Sequence, residues 1–93
     1  MRSTFTATVE RFPQEMGWFY LSVPDDLVVP LKHLAERGMI AVTATVGATS
    51  WPTSIVPKGD GTDFLPLPAK VRKAEGIELA EVVEASFEPR SRT

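Results

Sequence analysis

The sequence predicts a small, mainly β domain that closes into a barrel of about six strands with two short helices. Three stretches, at residues 4–12, 39–46 and 82–88, alternate apolar and polar residues as half-buried strands do. The strands do not alternate regularly with helices, so the sheet is expected to be mainly antiparallel. Six short strands would leave exposed edges, and a sheet that closes on itself removes those edges.

The first two strands are expected to form a hairpin. Apolar residues alternate from Phe5 to Val9, which predicts a half-buried strand over residues 4–12. Residues 13–17 contain proline and glycine and read as a turn before a second strand at residues 18–23. The predicted hairpin therefore has a five-residue loop.

A short helix is expected next, at least over residues 30–37. Proline is tolerated only in the first turn of a helix, so a helix that begins near Asp25 must break or restart at Pro30. Gly38 is expected to end this helix. Three residues form its predicted apolar stripe: Leu31, Leu34 and Ala35.

Two further strands are expected at residues 39–46 and 50–56, with a turn or bulge at residues 47–49 between them. Pro52 cannot donate a hydrogen bond to a neighbouring strand, so this part of the second strand is predicted to be an edge or a bulge. Residues 57–61 have the composition of a compact turn.

The stretch from residue 64 to residue 83 is expected to organise the fold. It reads as a short strand, a helix of about two turns, a glycine stop at Gly76 and a return into the last strand. Val71 and Ala74 are three residues apart and form the predicted inward stripe of the helix. This segment is predicted to be the corner that lets the hairpins close into a barrel.

Composition narrows the functional classes. We expect residues 1–89 to form one domain and residues 90–93 a loose polar tail. The chain has no cysteine, which excludes a disulfide or a thiolate site, and its single histidine makes a zinc site improbable. We expect a cytoplasmic protein, since neither a secretory signal nor an apolar membrane span is present. The net charge of −2 argues against nucleic acid as the partner.

Six short motifs follow one another along nearly the whole chain: Phe5-Thr6-Ala7, Gly17-Trp18, Trp51-Pro52-Thr53-Ser54, Gly59-Asp60-Gly61, Leu65-Pro66-Leu67 and Val71-Arg72-Lys73. In this order they resemble the uncharacterised bacterial domain-of-unknown-function family numbered nineteen hundred and five. That resemblance implies a double-split β-barrel and no agreed activity. The run from Pro68 to Ile77, with the strand that follows it, is similar to the second half of AbrB/MazE-type swapped-hairpin barrels.

The chain departs from both families at one position. They commonly place Gly-Asp after the short helix, whereas this chain has Ala80-Glu81. The acidic residue is kept, but the glycine that adopts a positive φ without strain is not.

Arg72, together with Lys70 and Lys73, forms the cluster of side chains that most directly suggests a binding site. An arginine at this place is suited to bind a carboxylate or a phosphate with two parallel hydrogen bonds. The alternative is structural: Arg72 pairs with a barrel carboxylate such as Glu81, and the two lysines are merely solvated.

Aromatic and hydroxyl side chains supply the other candidates. Trp18, Tyr20 and Trp51 could line a groove and stack on a sugar or a base; alternatively, the tryptophans fill the core of a small barrel or cover one of its open ends. Ser54 and Thr53 would need a base for nucleophilic chemistry, and the lone His33 lies on a helix that is predicted to be mostly exposed. No catalytic residues are therefore assigned.

The sequence favours a non-catalytic binding module for a small anionic ligand or a protein partner, acting as a monomer or a homodimer without cofactor or metal. The alternative is a DNA-binding regulator or antitoxin of AbrB/MazE type that acts as a dimer. The predicted binding residues lie at the open end of the barrel: Trp18, Trp51, Ser54, Lys58 and Arg72.

Overall fold

Seven antiparallel strands and two short helical segments build a nearly closed barrel in the computed structural model, which describes residues 2–13 and 17–90. The predicted mainly β barrel is confirmed, with one strand more than expected because the first strand divides. The strands are β1 (Ser3–Thr8), β2 (Glu10–Arg11), β3 (Phe19–Val23), β4 (Ile40–Val46), β5 (Thr49–Pro57), β6 (Asp63–Pro66) and β7 (Val82–Pro89). The helical segments are α1 (Asp25–Val28), which continues as a 3₁₀ helix (Val29–Leu34), and α2 (Ala69–Glu75).

The sheet has the order β1-β7-β4-β5-β6-β3-β2. Because β1 and β2 are consecutive pieces of one bent strand, this order almost closes a ring. The bend lies at Val9, whose buried side chain joins the core. The Val9 N–H donates to the carbonyl of Glu81 at 2.7 Å, and its own carbonyl accepts from Ala80 N–H at 2.9 Å.

The hairpin predicted from the first two strands forms only over β2, where two residues pair with β3. β1 pairs instead with β7 along its whole length. The sequence could not show this change of partner, because the apolar alternation runs through the bend without a break. The predicted loop at residues 13–17 includes residues 14–16, which lie outside the described residues.

The first helical segment restarts at Pro30 as expected, where the α-helix becomes a 3₁₀ helix. The prediction of helix as far as residue 37 is wrong, because the 3₁₀ helix ends at Leu34. Arg37 and Gly38, with φ of 55° and 81°, form a tight turn whose flanking residues hydrogen-bond to each other. Leu34 is 41% exposed and leaves the predicted stripe, whereas the other two members pack against the core.

The edge predicted at Pro52 is confirmed. Residues 49–55 of β5 pair with β4, and β6 joins β5 only at Val56 and Pro57. A two-residue turn joins β4 to β5, so hydrogen-bonded and non-hydrogen-bonded pairs alternate from that turn. Pro52 and Thr43 form a non-hydrogen-bonded pair, and the missing N–H of the proline therefore costs the ladder nothing.

The pairing of β5 with β6 stops where proline would have to donate. The register Val56–Phe64, continued by two residues, would set Ser54 opposite Pro66. Pro66 has no N–H, so the chain leaves β5 at this point and turns into α2. One residue, Pro66, therefore determines where the barrel wall splits.

α2 packs beside this split through Val71, which is 2% exposed and belongs to the core. Ala74, predicted to share that inward face, is exposed, because a helix of seven residues turns only one side chain fully inward here. Gly76 ends the helix in the left-handed conformation with φ of 64°, as predicted, and Ile77 N–H folds back onto the Arg72 carbonyl at 2.9 Å. The Thr49 hydroxyl donates to the Glu75 carboxylate, tying the end of α2 to β5.

Ala80 occupies the position where the resembling families commonly have glycine, and its φ is 73°. The turn therefore requires the left-handed conformation even though the residue is alanine. We expect Ala80→Gly to stabilise the fold by about 0.5–1 kcal/mol. An L residue loses roughly 1–2 kcal/mol in this conformation. Glycine avoids that cost but loses more conformational entropy on folding, which offsets part of the gain. Urea unfolding measures this difference.

Ala74→Gly is the matched control for that substitution, because Ala74 is exposed in the regular part of α2. It should destabilise the fold by about 0.5–1 kcal/mol. If both variants changed the free energy of unfolding in the same direction, the role given to the Ala80 turn would be contradicted.

Val71→Ala tests α2 as the corner of the barrel. Removing two buried methyl groups should lower the free energy of unfolding by about 1–3 kcal/mol. Lys73→Ala, at an exposed position of the same helix, should stay within about 0.5 kcal/mol of the wild type in the same urea titration. A Val71→Ala variant as stable as Lys73→Ala would show that the helix is not part of the cooperative core.

Candidate functional site

A cleft of about 520 Å³ opens where β5 and β6 separate. The beginning of β3 forms one wall with Trp18 and Phe19, and the free side of β5 contributes Thr53. The chain that leaves β6, including Leu67, and the first turns of α2, including Arg72, complete the lining. A volume of this size is in the range of small-ligand sites.

Arg72 is fixed on two sides within this cleft. Its Nε donates to the carbonyl oxygen of Leu67 at 3.1 Å, and its guanidinium carbon lies 3.7 Å from the centre of the Phe19 ring. The stacking contact uses the face of the guanidinium and the hydrogen bond uses Nε, so neither involves the edge formed by the two Nη atoms. Among the described residues, no carboxylate lies within ion-pair distance of this edge.

The structural alternative for Arg72 was an ion pair with Glu81. In the described part of the chain this ion pair does not form. Glu81 Oε1 instead accepts a hydrogen bond from the Glu78 N–H, inside the turn that follows α2. Lys70 and Lys73 are exposed on the same helix.

The two tryptophans do not share one cavity. Trp18 is 61% exposed and lines the cleft beside Phe19, whereas Trp51 is 9% exposed and belongs to the hydrophobic core. The Trp51 indole N–H is buried without an acceptor among the described residues. Trp51 therefore fills the core, which is one of the two roles that the sequence left open for it.

Lys58 lies in a different cluster, on the outer face of β3. Its Nζ donates to the Ser22 hydroxyl at 3.1 Å and lies 4.8 Å from the centre of the Tyr20 ring. The Glu10 carboxylate accepts hydrogen bonds from both Tyr20 and Ser22 at 3.3 Å. This network ties β2, β3 and the end of β5 together, and it gives Lys58 and Tyr20 a structural role.

Ser54 and Thr53 point to opposite faces of β5, because side chains alternate along a strand. Thr53 lines the cleft, and Ser54 does not. His33 is exposed on the 3₁₀ helix. The described residues contain no hydrogen bond from a serine or threonine hydroxyl to this histidine.

Carboxylates near the β5–β6 turn are occupied by protein groups. Asp60 accepts hydrogen bonds from the N–H and hydroxyl of Thr62 at 3.0 and 2.5 Å, and the hydroxyl bond holds the pKa of Asp60 below its usual value. Asp63, only 3% exposed, pairs with Lys32 at 3.6 Å. Residues 2–13 and 17–90 contain no cluster of three or more histidine or carboxylate side chains that could hold a metal ion.

Of the five predicted binding residues, the cleft unites Trp18 and Arg72. Phe19, Leu67 and the prolines that flank Leu67 were not among the binding residues predicted from the sequence. The two prolines, spaced by one residue just before a helix, were the available signal that a strand pair ends there. No helix in the described chain is both long and apolar enough to cross a membrane.

Comparison with known proteins agrees with this architecture. No curated protein matches the chain. A family model described as "Domain of unknown function (DUF1905)" matches residues 5–86, which include every strand from the middle of β1 to most of β7. The protein thus belongs to the DUF1905 family, as its order of motifs indicated.

Proposed function

We propose that this domain is a non-catalytic binding module whose cleft takes a small ligand with a carboxylate next to an apolar or aromatic group. The observation that supports the proposal is the Nη edge of Arg72, which lacks a protein carboxylate among the described residues and lies in a largely apolar cleft. A fixed guanidinium in such surroundings is well prepared to bind an anion.

The geometry of Arg72 favours a carboxylate over a larger anion. Because Nε is bonded to Leu67, the donors that remain for a ligand are those of the Nη edge, which match the two oxygens of one carboxylate. Among the described residues, Arg72 is the one cation in the lining of this cleft. A phosphate dianion would leave part of its charge uncompensated there, whereas a carboxylate would not.

The apolar walls supply the second half of the recognition. Trp18 presents much of its ring to solvent at the cleft, and Pro68 and Ala69 provide aliphatic surface. Covering an exposed tryptophan ring with an aromatic ligand contributes about 0.5–1.5 kcal/mol beyond the burial of area. The ligand is thus expected to place a ring or an aliphatic group against Trp18 and its anion on Arg72.

The non-catalytic part of the proposal is supported by the character of the cleft. In the part of the lining that the structure describes, the polar side chains are those of Thr53 and Arg72, and neither a base nor a metal-binding group lies beside the threonine. Nucleophilic catalysis would need such a group within hydrogen-bond reach. The DNA-binding alternative stays a prediction without a supporting observation, since one chain supplies all seven strands and its net charge is −2.

Arg72→Gln tests the proposal in a titration with 3-phenylpropionate and its neutral amide, followed by tryptophan fluorescence, to which the exposed Trp18 contributes. The wild type should bind the acid at least about tenfold more tightly than the amide, because the charge-assisted hydrogen bonds are worth about 1.5–3 kcal/mol. Arg72→Gln should remove this preference. A thermal-shift series gives an independent reading, since occupancy raises the melting temperature.

Lys73→Gln removes the same charge from an exposed position of α2 and should leave the preference for the acid intact. Circular dichroism verifies that each variant is folded. Equal binding of acid and amide by the wild type, or an equal loss in both variants, would refute a specific role of Arg72.

A further inference from the structure

We infer that the outer face of β1, β7 and β4 holds a second binding site, which takes a small neutral polyhydroxy compound, either a monosaccharide or an acyclic polyol. A notch of about 380 Å³ lies on this face, a volume in the range of small-ligand sites. Its polar lining consists of Arg2, Thr4, Thr45, Glu84 and Ser86. Among the described residues, the notch and the cleft around Arg72 share no lining residue, so the inference does not depend on the proposed function.

Three hydroxyl side chains form a row across the notch. The strand register sets Ser86 of β7 opposite Thr4 of β1 on one side and opposite Thr45 of β4 on the other. Side chains at directly opposite positions lie about 5 Å apart on one face of a sheet. The row points away from the core, because Ala85 and Phe87, the neighbours of Ser86 in the chain, belong to the core. The notch therefore presents several hydroxyl groups, each of which can donate and accept hydrogen bonds.

The Ser86 hydroxyl is the group in this row that needs a partner. Ser86 is only 8% exposed although it lies on the outer face of the sheet, and it lines the notch. Its hydroxyl forms no hydrogen bond with any other described residue, whereas the neighbouring Thr45 hydroxyl is bonded to that of Ser50 at 2.8 Å. A buried hydroxyl without a partner costs free energy. A ligand hydroxyl in the notch would remove that cost.

The charges at the notch favour a neutral ligand. The Glu84 carboxylate forms no ion pair with the other described residues. Arg2 is the one cation in the described lining, and its Nη2 already lies 4.0 Å from Oε2 of Glu88. An anionic ligand would meet the Glu84 carboxylate, and a cationic ligand would meet the Arg2 guanidinium. Either ion would thus have a like charge beside it, which a neutral compound avoids.

A polyhydroxy compound matches the notch group by group. Its hydroxyls can donate to Glu84, accept from Arg2 and exchange hydrogen bonds with Ser86 and Thr4. The described lining contains no aromatic side chain, so it has no surface on which a nucleobase could stack. The described residues also contain no cluster of three or more carboxylate or histidine groups for a metal ion. The ligand is therefore recognised through its hydroxyl groups.

The test is an NMR titration of the intact, ¹⁵N-labelled chain with three sugars (glucose, galactose and mannose), with sorbitol and with cyclohexanol. At least one sugar should cause saturable shifts of the amide signals of residues 84–86, with a Kd in about the millimolar range that a few hydrogen bonds provide. Sorbitol distinguishes the two sources: binding at least as tight as that of the sugars indicates an acyclic polyol, and weaker binding indicates a monosaccharide. Cyclohexanol has a ring with a single hydroxyl and should cause no saturable shift there.

Ser86→Ala and Glu84→Gln should weaken binding of the tightest ligand by about fivefold and about tenfold, the effects expected for a neutral and a charge-assisted hydrogen bond. The matched controls lie outside the described lining: Ser54→Ala on the outer face of β5 and Glu88→Gln two residues further along β7. Each should change the affinity by less than about twofold. Ser86→Ala should also leave the urea midpoint of unfolding at or above that of the wild type, because its hydroxyl has no protein partner to lose.

Four outcomes would overturn the inference. The first is no saturable shift with any sugar or sorbitol at about 100 mM, where a site with a Kd of about 10 mM would be about nine-tenths occupied. The second is equal binding of cyclohexanol, or tighter binding of inorganic phosphate, at the same residues, because the site would then recognise a ring or an anion. The third is a loss of affinity in the controls equal to that in the test variants. The fourth is a lower urea midpoint for Ser86→Ala, which would give its hydroxyl a purely structural role.

Discussion

A proline cannot donate to a β ladder, and this constraint at Pro66 determines most of what is distinctive in the domain. Because β6 cannot continue along β5 past that residue, the barrel wall opens there and the chain turns into α2. Val71 then anchors the helix in the core, and Arg72, its neighbour, is left at the opening. The cleft is therefore a direct product of strand pairing that ends early, and not an addition to a finished barrel.

Rigidity distinguishes Arg72 from an ordinary surface arginine. Long side chains lose rotamer freedom when they bind, and this loss opposes affinity. Here the Leu67 carbonyl and the Phe19 ring hold the guanidinium before any ligand arrives. The aromatic ring also excludes water from one face of the cation, which strengthens its interaction with an anion. In the outer network around Lys58, by contrast, the charged groups of Lys58 and Glu10 are hydrogen-bonded to hydroxyl groups of the protein.

The sequence was informative wherever a local rule decided the structure. Alternation predicted the buried faces of β4 and β7, proline predicted the free edge at Pro52, and glycine predicted the end of α2 at Gly76. The sequence was less informative where contacts between residues distant in the chain decide the structure. The bend at Val9 depends on the turn at Ala80, and no pattern near either residue reveals the other. The prediction of Trp51 at the opening failed because burial depends on which distant residues pack above a strand. Periodicity does not contain that information.

The pairing of the first strand with the last has a consequence for how the domain can be combined with others. Ser3 lies opposite Phe87, so the two ends of the folded unit emerge side by side. A host polypeptide could accept the whole barrel as an insert within one of its own loops, because entry and exit points nearly coincide. Fusion at either end places a neighbouring module at the same pole of the barrel. The barrel can therefore be combined with other domains in one polypeptide, at little cost in stability to the barrel or to its neighbour.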